Sequence, residues 1–312
     1  MRVNYLILAH KNIHQLNRLV DKLLSNDGYV YIHLDTKWQL SENDILSLHK
    51  KGVKILEDRF SCFLDDWSLI EATKALIATA FEVTPDYEKS YYYLLSGQDY
   101  PIKPLEELHR KLENEYPTPY IDCTPYHPSN WVDKKFRNPL FNKTITCKRS
   151  LPRKLGLVLL KFITPFLKSH NLSRKFKEKN IGMYGGSAWW CLPDTMISEI
   201  LDLFQDKELI NLLMKVHTPE ETIFQILSQR TSLASSIRLN PLNAVAQDCL
   251  TYANFCTPTK LPYKGHPHVI TTDDYSYVTM KDQFFARKFD ENIDSHILDM
   301  IDKNILKITT VH

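Results

Sequence analysis

Residues 3–37 read VNYLILAHKNIHQLNRLVDKLLSNDGYVYIHLDTK, and their periodicity decides the fold. "VNYLILAH" and "GYVYIHL" are short apolar runs rich in aliphatic and aromatic residues, the composition of strands buried on both faces. Between them Ile13, Leu16, Leu19, Val20 and Leu23 recur at helical spacing, predicting a helix from Asn12 to Leu24. Strand, helix and strand at this length form a βαβ unit, so a parallel sheet is expected.

The alternation continues downstream. "GVKILE" is a third strand and "DDWSLIEATKALIATAFE" a helix that Asp65 or Asp66 can cap. "YYYLLS" is the next strand, "PIKPLEELHRKLENE" a helix opened by prolines, and "PYIDC" a short strand. From about 125 to 180 prolines, aromatics and basic residues mix without a period. "SAWWCLP" then reads as a strand, and Pro193 opens a helix. "TPEETIFQILSQ" is a further helix with Thr218 as its expected cap and Pro219 at its first position. A last amphipathic helix contains Ile297, Leu298, Ile301 and Ile305. With no repeat, low-complexity segment or linker, residues 1–312 read as a single α/β domain.

The net charge of +2 hides an asymmetry. Residues 134–179 hold fourteen lysines and arginines against the one acid Glu178, a local charge of +13. This basic, amphipathic insertion can be a solvated face, a nucleic-acid site or a membrane-surface site. No nucleic-acid module accompanies it, so nucleic acid is not an expected partner. "RKLGLVLLKFITPFLKS" interleaves apolar residues with cations as interfacial helices do, which favours an anionic membrane surface. No window has eighteen uncharged apolar residues, and the N-terminal run lacks a signal-peptide cleavage site. The expected location is cytoplasmic, peripheral on the inner face of the cell membrane. The six cysteines form no C-x-x-C pair and read as reduced thiols.

Common catalytic signatures are missing. There is no G-x-G-x-x-G, P-loop, G-x-S-x-G or H-E-x-x-H. Eight glycines in the whole chain leave no Gly-rich cradle, so a phosphate would have to meet lysine, arginine or a helix N-terminus. His10, Asp35 and Asp99 each follow a predicted strand, where parallel sheets collect ligands. Each alone is as readily a turn or cap residue. Glu220 and Glu221 open a helix, a common pattern that suits a general base only if burial raises the pKa. Asp99 has no second carboxylate in Asp-x-Asp spacing. Asp65, Asp66, Asp273 and Asp274 are the paired acids that a metal-dependent alternative would use. "FFARKFD" sets Arg287 and Lys288 among aromatic residues, either at a buried anion or snorkelling from a helix face.

Taken in order, "YLILAHK", "YIHLDTK", "LLSGQDYPIK", "GGSAWWCLP", "TPEETIFQIL" and "FARKFD" carry a family resemblance. The chain resembles the core-2/I-branching β-1,6-N-acetylglucosaminyltransferases, a family that includes peptide O-xylosyltransferases and plant glucuronosyltransferases. Its bacterial members are the most similar. The resemblance covers nearly the full length and is weakest over 125–180. It implies a GT-A-type nucleotide-sugar fold, a mostly parallel central sheet flanked by helices. It also implies inverting transfer of a sugar, with GlcNAc expected, from a UDP-sugar to a hydroxyl of a glycan or lipid-linked glycan. Transfer of xylose or another sugar from UDP, and an inactive membrane- or glycan-binding relative, are the alternatives.

The implied roles follow residue by residue. The glutamate of the family's Pro-x-Glu motif, the catalytic base, is Glu221. His10 and Asp35 fall on the uridine side of the donor. Lys288 meets the diphosphate in place of a metal ion, so no metal and no cofactor beyond the UDP-sugar co-substrate is expected. The family's second phosphate contact is an arginine. Here the candidates are Arg287 and the cations of "YKGHPHVIT", namely Lys264, His266 and His268. Asp99 lies in the family's G-x-D-[FY]-P-I loop. Asp99, Trp189 and Phe255 are the candidate substrate-positioning residues, with Phe255 in "TYANF" where the family has a Trp-containing acceptor segment.

Overall fold

The structure, a computed structural model, describes residues 1–25, 28–85, 88–137, 172–242, 249–255 and 267–306. Its strands are β1 (Arg2–Ala9), β2 (Tyr29–Leu34), β3 (Val53–Ile55), β4 (Ser90–Ser96), β5 (Asp99–Pro101) and β6 (Tyr120–Ile121). They continue with β7 (Thr124–Pro125), β8 (Tyr184–Gly185), β9 (Trp190–Pro193), β10 (Thr251–Ala253) and β11 (Phe285–Arg287). The main sheet runs β3-β2-β1-β4-β9-β6. The pairs β2·β3, β1·β2 and β1·β4 are parallel, whereas β9 joins β4 and β6 antiparallel. The α/β, mostly parallel architecture expected from residues 3–37 is therefore present.

Alternation along the strands explains the layers. Tyr5 and Ile7 of β1 and Tyr91, Tyr93 and Leu95 of β4 face one core. It is completed by Leu16, Leu19, Val20 and Leu23 of the helix Ile13–Leu24, and by Ile297, Leu298 and Ile301 of the helix His296–Asn304. Leu6, Tyr92 and Leu94 point the other way, onto Leu76 and Ile77 of the helix Ser68–Glu82 and Met196, Ile197 and Ile200 of the helix Asp194–Leu203. A strand whose neighbouring side chains both enter a core must be apolar throughout. The continuous runs in the sequence have this cause.

Strands β1, β2 and β3 are laid down in one direction across the sheet, and β4 returns to the far side of β1. That reversal opens a crevice beyond the carboxyl ends of β1 and β4, the usual ligand position in such sheets. A second sheet, β10-β11-β5, begins at that end, because β5 follows β4 directly, with β5 and β11 antiparallel. Two local expectations are corrected. Pro219–Glu221 is a 3₁₀ turn ahead of a short helix, Ile223–Ser228, and Thr218 adopts φ 56° with no side-chain cap. The helix Ser68–Glu82 takes Trp67 as its N-cap, and Asp66 Oδ1 instead accepts the Ser68 N–H at 2.9 Å.

Candidate active site

Two sequence motifs form the two sides of one seam. "SGQDYP" leads from β4 into β5, and "FARKFD" forms β11 and the residues after it. The antiparallel register sets Asp99 opposite Arg287. Beyond the ladder, Phe289 N–H donates to Gln98 O at 2.8 Å, and Gln98 Nε2 returns a bond to Phe289 O at 3.3 Å. Gln15, fully buried in the first helix, donates to both Gly97 O and Phe289 O. Asp290 accepts from Lys11 at 2.6 Å and from Asn12 at 2.7 Å, tying the segment to the turn after β1. Burial pushes the Asp290 carboxyl up, but these bonds outweigh it and hold the group below the usual range.

Asp99 is completely buried. It accepts from Ser96 N at 2.9 Å and Ser96 Oγ at 2.8 Å. Arg287 Nε lies 3.1 Å from its Oδ1, a charge contact whose angle falls short of a hydrogen bond. The guanidinium also sits 3.9 Å from the Trp189 ring centroid, a cation–π distance. Burial raises the Asp99 pKa, and Arg287 and Ser96 oppose it. Burial likewise lowers that of Arg287, which stays a cation. Arg287 therefore sits between Asp99 and Trp189 as an internal strut, with its charge already matched. Asp99, with no exposed surface, forms one side of this clamp, and Trp189, half-buried, forms the other.

Lys288 follows this strut, and the peptide between them is cis. Its backbone carbonyl accepts from Ile270 N at 2.8 Å, while its half-buried ammonium makes no hydrogen bond or ion pair among the described residues. Burial, then Arg287 and Lys11, pull its pKa down. His10 is exposed at the end of β1. Incomplete hydration of its ring, followed by Lys11, lowers its pKa, with Lys288 and Lys37 adding to the effect and Asp35 opposing it. His10, Asp35 and Lys288 are thus brought to one crevice. Asp35 is turned into its own loop, accepting from Lys37 N at 2.8 Å and Cys62 N at 3.3 Å, with Lys37 Nζ 3.2 Å away. Phe255 is 42% exposed, two residues beyond Ala253, which pairs with Arg287. Lys264 and His266 lie outside the described residues, as do residues 138–171 of the basic insertion.

The carboxylates of the 3₁₀ turn have different surroundings. The Glu221 side chain is 42% exposed, and its Oε2 is ion-paired with Lys135, a lysine only 8% exposed. Its backbone carbonyl accepts from Gly186 N at 2.9 Å. A Cβ at Gly186 would meet Asp122 O at 1.8 Å, so only glycine allows this approach. Glu220 is largely buried. Its Oε1 accepts from Asp65 N at 3.0 Å, and its Oε2 has no hydrogen-bond partner among the described residues. Burial, in the main, raises its pKa from 4.5 to about 7. The folded state thus favours neutral Glu220. Its stabilisation is full below pH 4.5 and is lost as pH rises through 7. Glu220→Gln is expected to remove that slope. In urea titrations its stability should gain on the wild type by ~3 kcal/mol between pH 4.5 and 8. An unchanged difference across that range would refute the assignment.

The other acids do not gather. Asp66 binds the Ser68 N–H, and Asp274 accepts from Thr271 N at 3.0 Å in a capping box. Among the described residues no three His, Cys, Asp or Glu are grouped to hold a metal ion, and Cys62, Cys123, Cys191 and Cys249 are free thiols. No helix among them is long and apolar enough to cross a membrane. Sequence reasoning missed Lys135, hidden within a basic stretch, and Gln15, one polar residue on an apolar helix face.

The sequence pattern of the Core-2/I-branching enzymes matches residues 3–282. The chain belongs to this family. It is similar to xylosyltransferase 2 of Mus musculus, 22% identical over 97% of this chain and 33% of the relative. The xylosyltransferase of Ciona intestinalis is 21% identical, with 97% and 34% covered. The chain therefore spans about a third of the length of these relatives. Among solved structures, apo mouse xyloside xylosyltransferase 1 shows 10% identity over 92% of this chain and 97% of that one, at a TM-score of 0.36.

Proposed function

We propose that the chain is an inverting, metal-independent glycosyltransferase that moves a sugar from a UDP-sugar to a hydroxyl of a glycan or lipid-linked glycan. The observation that carries this reading is Lys288, an ammonium with no ion-pair partner among the described residues, whose segment is laced beside the carboxyl ends of β1 and β4. Lys11 and Lys37 are the neighbouring cations there. The basic composition of 134–179 is the support for a cytoplasmic setting against an anionic membrane surface.

In this mechanism Glu221 takes the proton of the acceptor hydroxyl. The hydroxyl oxygen attacks the anomeric carbon as the bond to the UDP oxygen breaks on the opposite face. The departing diphosphate gains negative charge, which fixed cations stabilise without reorganising; groups of this kind contribute roughly 3–4 kcal/mol. A second reading makes Glu220 the base, since its pKa near 7 suits the role. Its unpartnered oxygen is sealed from solvent, however, whereas Glu221 is open to an acceptor. The relatives' names favour UDP-xylose over the expected UDP-GlcNAc as the first donor to test.

Thermal unfolding with UDP-xylose, UDP-GlcNAc and UDP tests the donor class. A ligand at 100 times its Kd stabilises by about 2.7 kcal/mol. The expected result is a rise in Tm with UDP-sugar that persists in excess EDTA. No shift with any UDP compound would reject the donor class, and a shift abolished by EDTA would reject the metal-free site.

A further inference from the structure

We propose that Trp131 forms the floor of an acceptor subsite for a pyranose ring, with Lys135 and Glu221 at its edge; the inference rests on the role given above to Glu221. All five tryptophans lie among the described residues, and Trp131 is the one in the exposed class, at 37%. Single exposed aromatics are ordinary on protein surfaces. Three further observations distinguish this one.

The indole is seated. A Cβ on Gly185 would stand 2.9 Å from Trp131 Cη2, so the absence of a side chain there provides the shelf that carries the ring. Its charged neighbour is next: Lys135 Nζ lies 5.1 Å from the Trp131 ring centroid. The same ammonium is paired with Glu221 Oε2 and is almost fully buried, so its position is set by the protein. Lys135 is held from below as well, since its backbone carbonyl accepts from His217 N at 3.0 Å, next to the Thr218-Pro219 turn that carries Glu221. A partly exposed indole, a fixed ammonium over its ring and the carboxylate paired with that ammonium thus adjoin one another.

This set matches a sugar. The C–H face of a pyranose is apolar and slightly electropositive, and an indole face is its complement. The ring hydroxyls supply acceptors for the ammonium and one proton for the carboxylate. Stacking on Trp131 would present a hydroxyl beside Glu221, so the residue sets acceptor affinity and leaves donor binding alone. The expected stacking surface at Phe255 lies on a different element, beyond β10.

The test uses the full chain labelled with 5-fluorotryptophan and saturated with UDP. Methyl glycosides of xylose, galactose, glucose and N-acetylgalactosamine are titrated while ¹⁹F resonances are followed. The Trp131 signal is assigned by its loss in Trp131→Phe. At least one methyl pyranoside is expected to shift that signal saturably. Trp131→Ala should weaken its binding roughly three- to tenfold and leave the UDP affinity within about twofold, by the same correspondence of energy and affinity. A Trp131 signal indifferent to every pyranoside, or equal affinity in Trp131→Ala, overturns the subsite even where UDP binds. Failure of UDP itself to bind overturns the donor reading instead.

Discussion

Glu221→Gln is expected to lower glycosyl transfer by about 10²- to 10⁴-fold, the usual contribution of a general base. The substitution keeps the shape of the side chain, and the amide oxygen can still accept from Lys135. What is lost is the capacity to hold a proton. Lys135 occupies Oε2, and Oε1 makes no hydrogen bond among the described residues, which leaves it to meet the acceptor hydroxyl. The loss should appear in kcat, with donor KM little changed, because the proposed mechanism sets Glu221 on the acceptor side. Glu220→Gln is the companion. Its sealed oxygen gives it no path to an acceptor, so transfer should persist. If Glu221→Gln stays near wild type while Glu220→Gln is inactive, the base is Glu220.

Asp99→Ala is expected to destabilise the protein by about 3–5 kcal/mol, the cost of leaving a buried partner charge uncompensated. Asp99 is wholly buried and Arg287 nearly so. Removing the carboxylate strands the guanidinium and also deprives the Ser96 N–H and Oγ of their acceptor. Replacing both charges, as in Asp99→Leu with Arg287→Met, should recover much of the loss, since buried pairs exchange for apolar ones at little net cost. Urea unfolding with linear extrapolation measures all three proteins. A cost below about 1 kcal/mol for Asp99→Ala would be in the range of a surface change and inconsistent with this strut. In a folded Asp99→Ala protein, UDP affinity should also fall, because Lys288 is the residue that follows Arg287.

Much of the fold was legible without coordinates. The apolar runs around Tyr5, Ile32 and Tyr93 had to be strands covered on both faces. The helical spacing from Ile13 to Leu23 forced a parallel crossover between the first two. The isolated Asp99 argued against a paired-carboxylate metal site, and its burial against Arg287 gives it another occupation. Polar residues following strands also marked the crevice, since the carboxyl ends of parallel strands converge there.

Local chemistry was less legible. Pro219-Glu220-Glu221 reads as an ordinary helix start, yet it folds as a 3₁₀ turn whose two carboxylates meet opposite surroundings. Spacing along a chain cannot reveal which of two adjacent acids is buried, because that depends on Asp65 and Lys135, far away in sequence. Arg287 and Lys288 likewise appeared as one cationic pair, and only the antiparallel register with Asp99 separates the internal strut from the open ammonium. The sequence alone determined the layers and the end of the sheet at which the candidate site lies, because hydrophobic periodicity is a local property of the chain. The tertiary structure decided which charges are spent on one another and which are left unpaired among the described residues, because the partners that neutralise a charge are brought together only by long-range packing.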